Sequence, residues 1–350
     1  MVPPSFELIV DRDANGVRID TFLERQFRNY TSWRLQRIVR AGGATIDYAL
    51  ADERDRVYLG QRVAITLLEP PDKLLPPEPR EVPVLFEDAW IWVVDKPAGL
   101  IAHPAGEYPT GSLANVLQHR LDERTAARGL MRPGIVHRLD RQTSGLMVVA
   151  LNYVAHRGLA ACFETSRVAK TYVAIVDGLI GPDSGVLDLP IGRTPTGRQV
   201  LMSCRADALD RRPAKTHFKV LRRFDRHTLV VARPVTGRNH QIRVHFAHIG
   251  HPLLGDEFYE AHGAIKPLRP RRSPDDTAAP DEDPSDIETG YALRRHALHA
   301  IRLEFPHPVS GLWLEFQSRL PDDFRATLDQ MAFETGAARE PGGLSCAAGA

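Results

Sequence analysis

The chain is poor in cysteine, with three in 350 residues: Cys162, Cys204 and Cys346, far apart and in no C-x-x-C pair. An odd, scattered set excludes a disulfide framework and a cysteine zinc site, and it points to a reducing compartment. No stretch approaches the ~20 uninterrupted apolar residues of a membrane span, and the first residues lack the basic start and apolar run of a signal peptide. A cytoplasmic protein without a membrane segment is expected. Neither G-x-x-x-x-G-K-[ST] nor G-x-G-x-x-G occurs between a strand and a helix, so no nucleotide cofactor is expected. No internal repeat is found. The 43% hydrophobic content is ample for the core of one large domain, or of a large and a small one.

Strong net charge is missing as well, the formal total being +1. The distribution is more telling than the sum. Asp275, Asp276, Asp281, Glu282, Asp283, Asp286 and Glu288 crowd one stretch between Ser273 and Thr289 with no basic residue among them. Lifting those seven negative charges from the +1 total leaves the rest of the chain at +8, a moderately basic body suited to phosphate contact. The surrounding segment, about 266–290, adds five prolines and is expected to be a disordered insertion, as is the Gly- and Ala-rich tail 336–350.

Residues 1–76 read as a small module. Ile19, Phe22, Leu23 and Phe27 recur at helical spacing behind Asp20 as N-cap, and Leu35, Ile38 and Val39 mark a second short helix ending at Gly42-Gly43. Arg34, Arg37 and Arg40 are spaced by three on that helix, so they share one face, and no acid interrupts residues 25–44. The face is read as an RNA contact or as a solvated helix surface. Val63 to Leu67 alternates like a strand after a turn at Leu59-Gly60-Gln61. Proline-rich residues from Glu69 to Pro79 are of linker character, and the linker proper is set at 77–83. A large domain follows over 84–335. Its strands are expected at Trp90–Val94, Leu146–Ala150, Thr171–Val176 and Thr228–Ala232, and its helices at Ser112–His119 and Tyr153–Glu164. Mixed runs without strict β-α alternation suggest an α+β fold around a mixed or antiparallel sheet.

The chemistry concentrates in Gly134-Ile-Val-His137-Arg138-Leu-Asp140-Arg-Gln-Thr-Ser-Gly145. It puts one carboxylate, flanked by Arg138 and Arg141 and followed by Thr143 and Ser144, in a polar turn just before an apolar strand. An Asp at the edge of a core is placed to stay ionised while partly shielded from water, as a nucleophile or base must be. Three other strings stand out. Val93-Val-Asp95-Lys96-Pro97-Ala-Gly99-Leu-Ile-Ala-His103-Pro104 reads as a rigid loop leaving a strand, either a cleft wall with Lys96 near phosphate or a structural turn with a solvated lysine. Lys170-Thr171-Tyr172 heads a strand. Thr236-Gly-Arg-Asn-His240-Gln-Ile-Arg243-Val-His245 runs on to Gly250 as a helix C-cap, with Arg243 among Ile242, Val244 and Phe246. His240 and His245 lack the i,i+4 spacing of a zinc helix and no cysteine completes a set, so no metal is expected.

Taken together and in this order, the four strings resemble the motifs of the RluA-type pseudouridine synthases, which isomerise selected uridines in structured RNA. The resemblance covers about residues 90–300. It implies an isomerase that breaks the N1–C1′ bond of an extruded uridine, turns the base and rejoins it through C5, without cofactor or metal. It makes Asp140 the essential carboxylate, leaving open attack at C1′, addition to the base, or abstraction of a sugar proton. It places Tyr172 in the site, stacked on the base, and gives Arg243 a salt bridge to Asp140. A guanidinium within ~4–6 Å would keep that carboxylate ionised and fix its orientation. Arg138 matches a position that fills the gap left by the flipped nucleotide, with His137 beside it as a further RNA contact. Residues 16–70 are similar to an S4-type RNA-binding domain, with Ile46-Asp47-Tyr48 where a Val-Asn-Gly turn is common. Such a module ahead of the catalytic domain favours ribosomal RNA of the large subunit, with tRNA open, and a monomer is expected. Two rivals remain: a catalytically inactive RNA-binding protein working through the arginine helix, and a glycosidic-bond hydrolase pairing Asp140 with a second carboxylate, for which Asp256 is the candidate.

Overall fold

The structure is a computed structural model describing residues 3–104, 109–124, 129–195, 201–267 and 288–336. The acidic stretch, apart from its last two residues, and the tail beyond Gly336 lie outside the described residues. The contacts divide the chain into two compact units. One comprises Met1–Arg141, Met147–Arg167 and Pro306–Leu314, the other Gln142–Leu146, Val168–Phe305 and Glu315–Ala350.

The first unit opens with β1 (Ser5–Ile9), α1 (Ile19–Gln26), α2 (Ser32–Ile38), β2 (Ala44–Ile46), β3 (Ala49–Leu50) and β4 (Arg62–Thr66). The four strands form an antiparallel sheet in the order β1-β4-β2-β3. Period-two alternation turns Val63 and Ile65 of β4 inward, where Phe22 and Leu23 of α1 and Leu35 and Ile38 of α2 cover them. Asp20 is not the N-cap of α1. Arg18 holds that position, and the buried Asp20 carboxylate accepts from the Thr21 N–H at 2.8 Å and from Gln36 Nε2 at 2.5 Å, tying the two helices together.

The same unit continues with β5 (Val84–Glu87), β6 (Ile91–Lys96), α3 (Leu113–Asp122), β7 (Gly134–Ile135), β8 (Ser144–Ala150) and α4 (Tyr153–Glu164). Strands run β5-β6-β8, with β7 antiparallel on the far end of β8. Every residue of β8 is buried, which is why it reads as a continuous apolar run instead of alternating. A capping box of Ser112 and Asn115 starts α3.

The second unit holds β9 (Ala169–Asp177), β10 (Ser184–Asp188), β11 (Ile191–Arg193), β12 (Met202–Ser203), β13 (Leu209–Arg212), β14 (Lys215–Arg223), β15 (His227–Pro234), α5 (Gln241–His248), β16 (Leu298–Pro306), β17 (Trp313–Gln317) and α6 (Asp322–Glu334). Its main sheet runs β10-β14-β15-β9-β16 antiparallel, and the first residues of β8 add to β16 in parallel, Ser144 opposite His299 and Gly145 opposite Ala300. The fold is therefore α+β with a mixed sheet, preceded by a small antiparallel sheet, as the sequence suggests. Phe324 and Met331 of α6 pack with Val173 and Ile175 of β9. No helix among the described residues is long and apolar enough to cross a membrane.

Candidate active site

The string around Asp140 is held in two ways. Its leading half belongs to the first unit. His137 stacks on Phe163 at 4.5 Å between ring centroids, and its Nε2 accepts the Val148 N–H at 3.0 Å. That nitrogen therefore carries no proton, and the ring braces β8; the expected RNA contact gives way to a structural role. Arg138 is exposed, Leu139 is buried, and Asp140 is half-buried in the loop entering β8. Beneath the loop, the Arg141 carbonyl accepts the Gly99 N–H at 2.9 Å, and Arg141 Nε donates to the Gly99 carbonyl at 3.1 Å. Gly99 has φ +85°, a conformation glycine adopts without strain. Lys96 is fully buried, and Nζ donates to the carbonyls of Pro97 at 2.9 Å, Leu100 at 2.8 Å and Arg141 at 3.1 Å. Neither expected reading of Lys96, phosphate ligand or solvated lysine, matches this geometry. Three donors meeting three backbone acceptors make it the bolt between two motif loops.

The trailing half belongs to the second unit, where Gln142, Thr143 and Ser144 are buried. Thr143 Oγ1 hydrogen-bonds His296 Nε2 at 2.8 Å, and Ser144 Oγ hydrogen-bonds His299 Nδ1 at 2.9 Å. Arg295 donates from Nη1 to the Gln142 carbonyl at 2.9 Å and from Nη2 to Ser144 Oγ at 3.3 Å, while Asp323 of α6 takes its Nε at 2.8 Å. Burial first, then the Arg295 charge, push His299 down to a pKa of about 4, so it is neutral. Gly145 has φ +116°, and a Cβ there would come within 2.3 Å of the Ala300 carbonyl oxygen, so only glycine allows β8 to approach β16 so closely. Sequence reading missed Arg295, His296 and Asp323. The Arg-His pair just before Leu298-His299-Ala300 was the available signal.

Tyr172 is buried in β9, opposite Ala232 of β15 on one side and Ala300 of β16 on the other. Gly145, Ala300 and Tyr172 thus lie in one row across adjacent strands, which sets the glycine about 10 Å from the tyrosine backbone. The alanines leave room beside a flat ring. Arg243, on α5, is almost wholly buried and forms a two-pronged pair with Asp256, Nε to Oδ2 and Nη2 to Oδ1, both at 2.8 Å. Asp256 also accepts the N–H groups of Phe258 at 2.9 Å and Tyr259 at 3.1 Å, and the guanidinium lies 5.3 Å from both of those rings. A carboxylate so engaged is no general acid, and the hydrolase rival loses its second carboxyl group. Thr216 Oγ1 and the Leu189 carbonyl hold the two nitrogens of His245, each at 3.0 Å, leaving neither for a metal.

On α2 and the turn after it, the arginine row meets acids supplied from elsewhere in the chain. Arg34 lies 3.3 Å from Asp72, Arg37 lies 3.0 Å from Glu69, and Arg40 lies 2.6 Å from Glu53. The acid-free stretch of sequence is therefore a neutralised surface in the fold, which weakens the expected RNA contact.

The comparisons converge on one family. A model described as RNA pseudouridylate synthase matches residues 91–248, a span that contains Lys96, Asp140, Tyr172 and Arg243. The chain is 37% identical over 325 residues to the ribosomal large subunit pseudouridine synthase D of Nitrosomonas europaea, covering 93% of this chain and 87% of that one. It is 35% identical over 312 residues to the protein of the same name from Pseudomonas aeruginosa, covering 89% and 91%. Among solved structures it is similar to human RNA pseudouridylate synthase domain containing 4, with a TM-score of 0.52 and 26% identity over 71% of this chain and 92% of that one. With identity of this order across nearly the whole length, and with the motif strings inside the matched span, the chain belongs to the RNA pseudouridine synthase family and is an isomerase.

Proposed function

We propose that the protein converts uridine to pseudouridine in ribosomal RNA of the large subunit, with Asp140 as the essential carboxylate. The observation that carries this is the double anchoring of the Asp140 string. Lys96 holds the Arg141 carbonyl directly after the carboxylate, Arg295 and two histidines hold Gln142 to Ser144 beyond it, His137 braces β8 ahead of it, and Asp140 is itself half-buried. A carboxylate held in this way is pre-organised to meet a developing charge at the sugar or the base. Tyr172 stacks on the uracil between its two alanine neighbours. Arg243, aligned by Asp256, is the cation that keeps Asp140 ionised and oriented.

The substrate class rests on the relatives, several of which are named as large-subunit synthases and match along most of their length. The small antiparallel sheet with its two helices suits an S4-type module over residues 1–76, ahead of a catalytic domain over 84–335. The test is to map pseudouridine by carbodiimide adduct and primer extension in cells lacking the protein, complemented by wild type or by Asp140→Asn. A site in large-subunit ribosomal RNA that vanishes, returns with wild type and stays absent with the variant is the expected result. A site returning equally with Asp140→Asn would remove the catalytic assignment, and a site found in tRNA would change the substrate.

A further inference from the structure

The arginines that sequence reading singles out in the N-terminal module are neutralised, and a different set is not. Arg28 follows α1 directly. Its neighbour Asn29 is buried and stitches three segments together: Nδ2 donates to the carbonyls of Gly129 at 2.7 Å and Met131 at 3.1 Å, while its own carbonyl accepts from the N–H groups of Asp72 and Lys73. Arg132 closes the stitch, with Nη1 donating to the Lys73 carbonyl at 3.1 Å. These bonds bring Arg28 and Arg132 to one place, both half-buried. Burial lowers the pKa of each, and the charge of Arg132 adds to the effect on Arg28.

From there the positive charge extends toward Asp140. His156 feels Arg28, after burial, and lies against Gly134 of β7, the strand that leads to His137 and Asp140. His103, in the loop after β6, feels burial first, then Arg138 and Arg132. No carboxylate among the described residues lies within ion-pair distance of Arg28, Arg132 or Arg138, whereas Arg34, Arg37 and Arg40 each have one. Guanidinium groups partly withdrawn from water and facing like charge are unfavourable in isolation. An anion arriving beside them removes that penalty and adds charge-assisted hydrogen bonds.

We propose that Arg28 and Arg132 form a phosphate-binding pair that takes the sugar–phosphate backbone of the substrate RNA on its way to the Asp140 loop. The inference rests on the RNA substrate that the family implies, and it assigns the backbone path to these two residues in place of the arginine row on α2. Phosphate contacts of this kind carry no sequence information; they fix register and orientation on the RNA.

The test uses the full chain and an unmodified tRNA transcript as a generic structured RNA, with affinity measured between 50 and 300 mM KCl on the order used for counterion-release analysis. Arg28→Met and Arg132→Met keep the apolar stem and remove the charge. Each should weaken binding about five- to tenfold and reduce the magnitude of the salt slope by about 0.7–0.9. The melting temperature of Arg28→Met without RNA should hold or rise, because like-charge crowding is relieved, whereas Arg132→Met also gives up the bond to the Lys73 carbonyl. Arg28→Lys should restore most of the slope, and Arg34→Met should change it less than either Arg28→Met or Arg132→Met. An unchanged slope in both Met variants overturns the proposal, and so does a lower melting temperature with the slope intact, which marks a structural role. A slope that responds to Arg34→Met alone moves the backbone path to α2. A wild-type chain that binds no RNA at any salt fails at the substrate reading itself, a result distinct from variants that bind like wild type.

Discussion

The two halves of the Asp140 string are secured by different physics. At Arg141, next to the carboxylate, the loop rests in a backbone cradle: carbonyls of Pro97, Leu100 and Arg141 converge on the Lys96 ammonium, and Gly99 and Arg141 exchange two hydrogen bonds. After it, side chains hold side chains: His296 on Thr143, His299 on Ser144, and Arg295 between the Gln142 carbonyl and Asp323. The cradle depends on one buried lysine and on main-chain geometry that many sequences could supply. The side-chain clasp depends on particular residues about 150 positions away and on His299 staying neutral. The second half is thus sensitive to pH through His299.

The strongest break falls at the carboxylate itself. Asp140→Asn preserves shape and removes the charge, so pseudouridine formation should drop by about 10³-fold or more while the melting temperature stays near wild type. A single-turnover assay on RNA checks it. Lys96→Met comes next. It fills the space but leaves three carbonyls without their shared donor, costing about 4 kcal/mol of stability by denaturant unfolding, and activity should fall with it. Arg295→Met attacks the other half. Asp323 is partly exposed, so water relieves that end, and the expected loss is nearer 3 kcal/mol. If the clasp positions Asp140, Arg295→Met should lower kcat at temperatures where the variant remains folded, with little change in RNA affinity.

What could be read from sequence follows the same division. Local pattern gave the strands and helices well: the all-apolar run is β8, Tyr153–Glu164 is α4, and Gly250, at φ +93°, terminates the helix carrying Arg243. Residue types also marked the right strings. Partners distant in sequence were not legible. Arg243 meets Asp256 thirteen residues on, through a turn whose geometry no spacing rule predicts. Arg34 finds Asp72, and the acid-free run around it concealed that pairing. Lys96 read as a phosphate contact or a solvated lysine because lysine is rarely buried; only a fold that converges three carbonyls can bury its ammonium. Arg28 and Arg132 passed unnoticed because neither lies in a row.

The smallest expected effect isolates the pH sensitivity of the clasp. In the unfolded chain His299 takes its proton near 6.5, and in the fold only near 4, because burial and the neighbouring Arg295 disfavour the imidazolium. Between those values the unfolded chain binds the additional proton. The stability this histidine contributes is therefore fully present above pH 6.5 and is lost as the pH falls toward 4, by about 3 kcal/mol at most. His156, in the first unit, is also pushed down to about 4, by burial and then Arg28, so acid weakens the whole fold and an overall slope alone decides nothing. His299→Asn separates the two. It keeps a hydrogen-bonding group for Ser144, is less stable at pH 7.5, and should lose about 2–3 kcal/mol less than wild type between pH 7.5 and 4.5 in urea unfolding. Equal losses in the two proteins would mean that His299 titrates alike in both states, and the contrast between cradle and clasp would then rest on geometry alone.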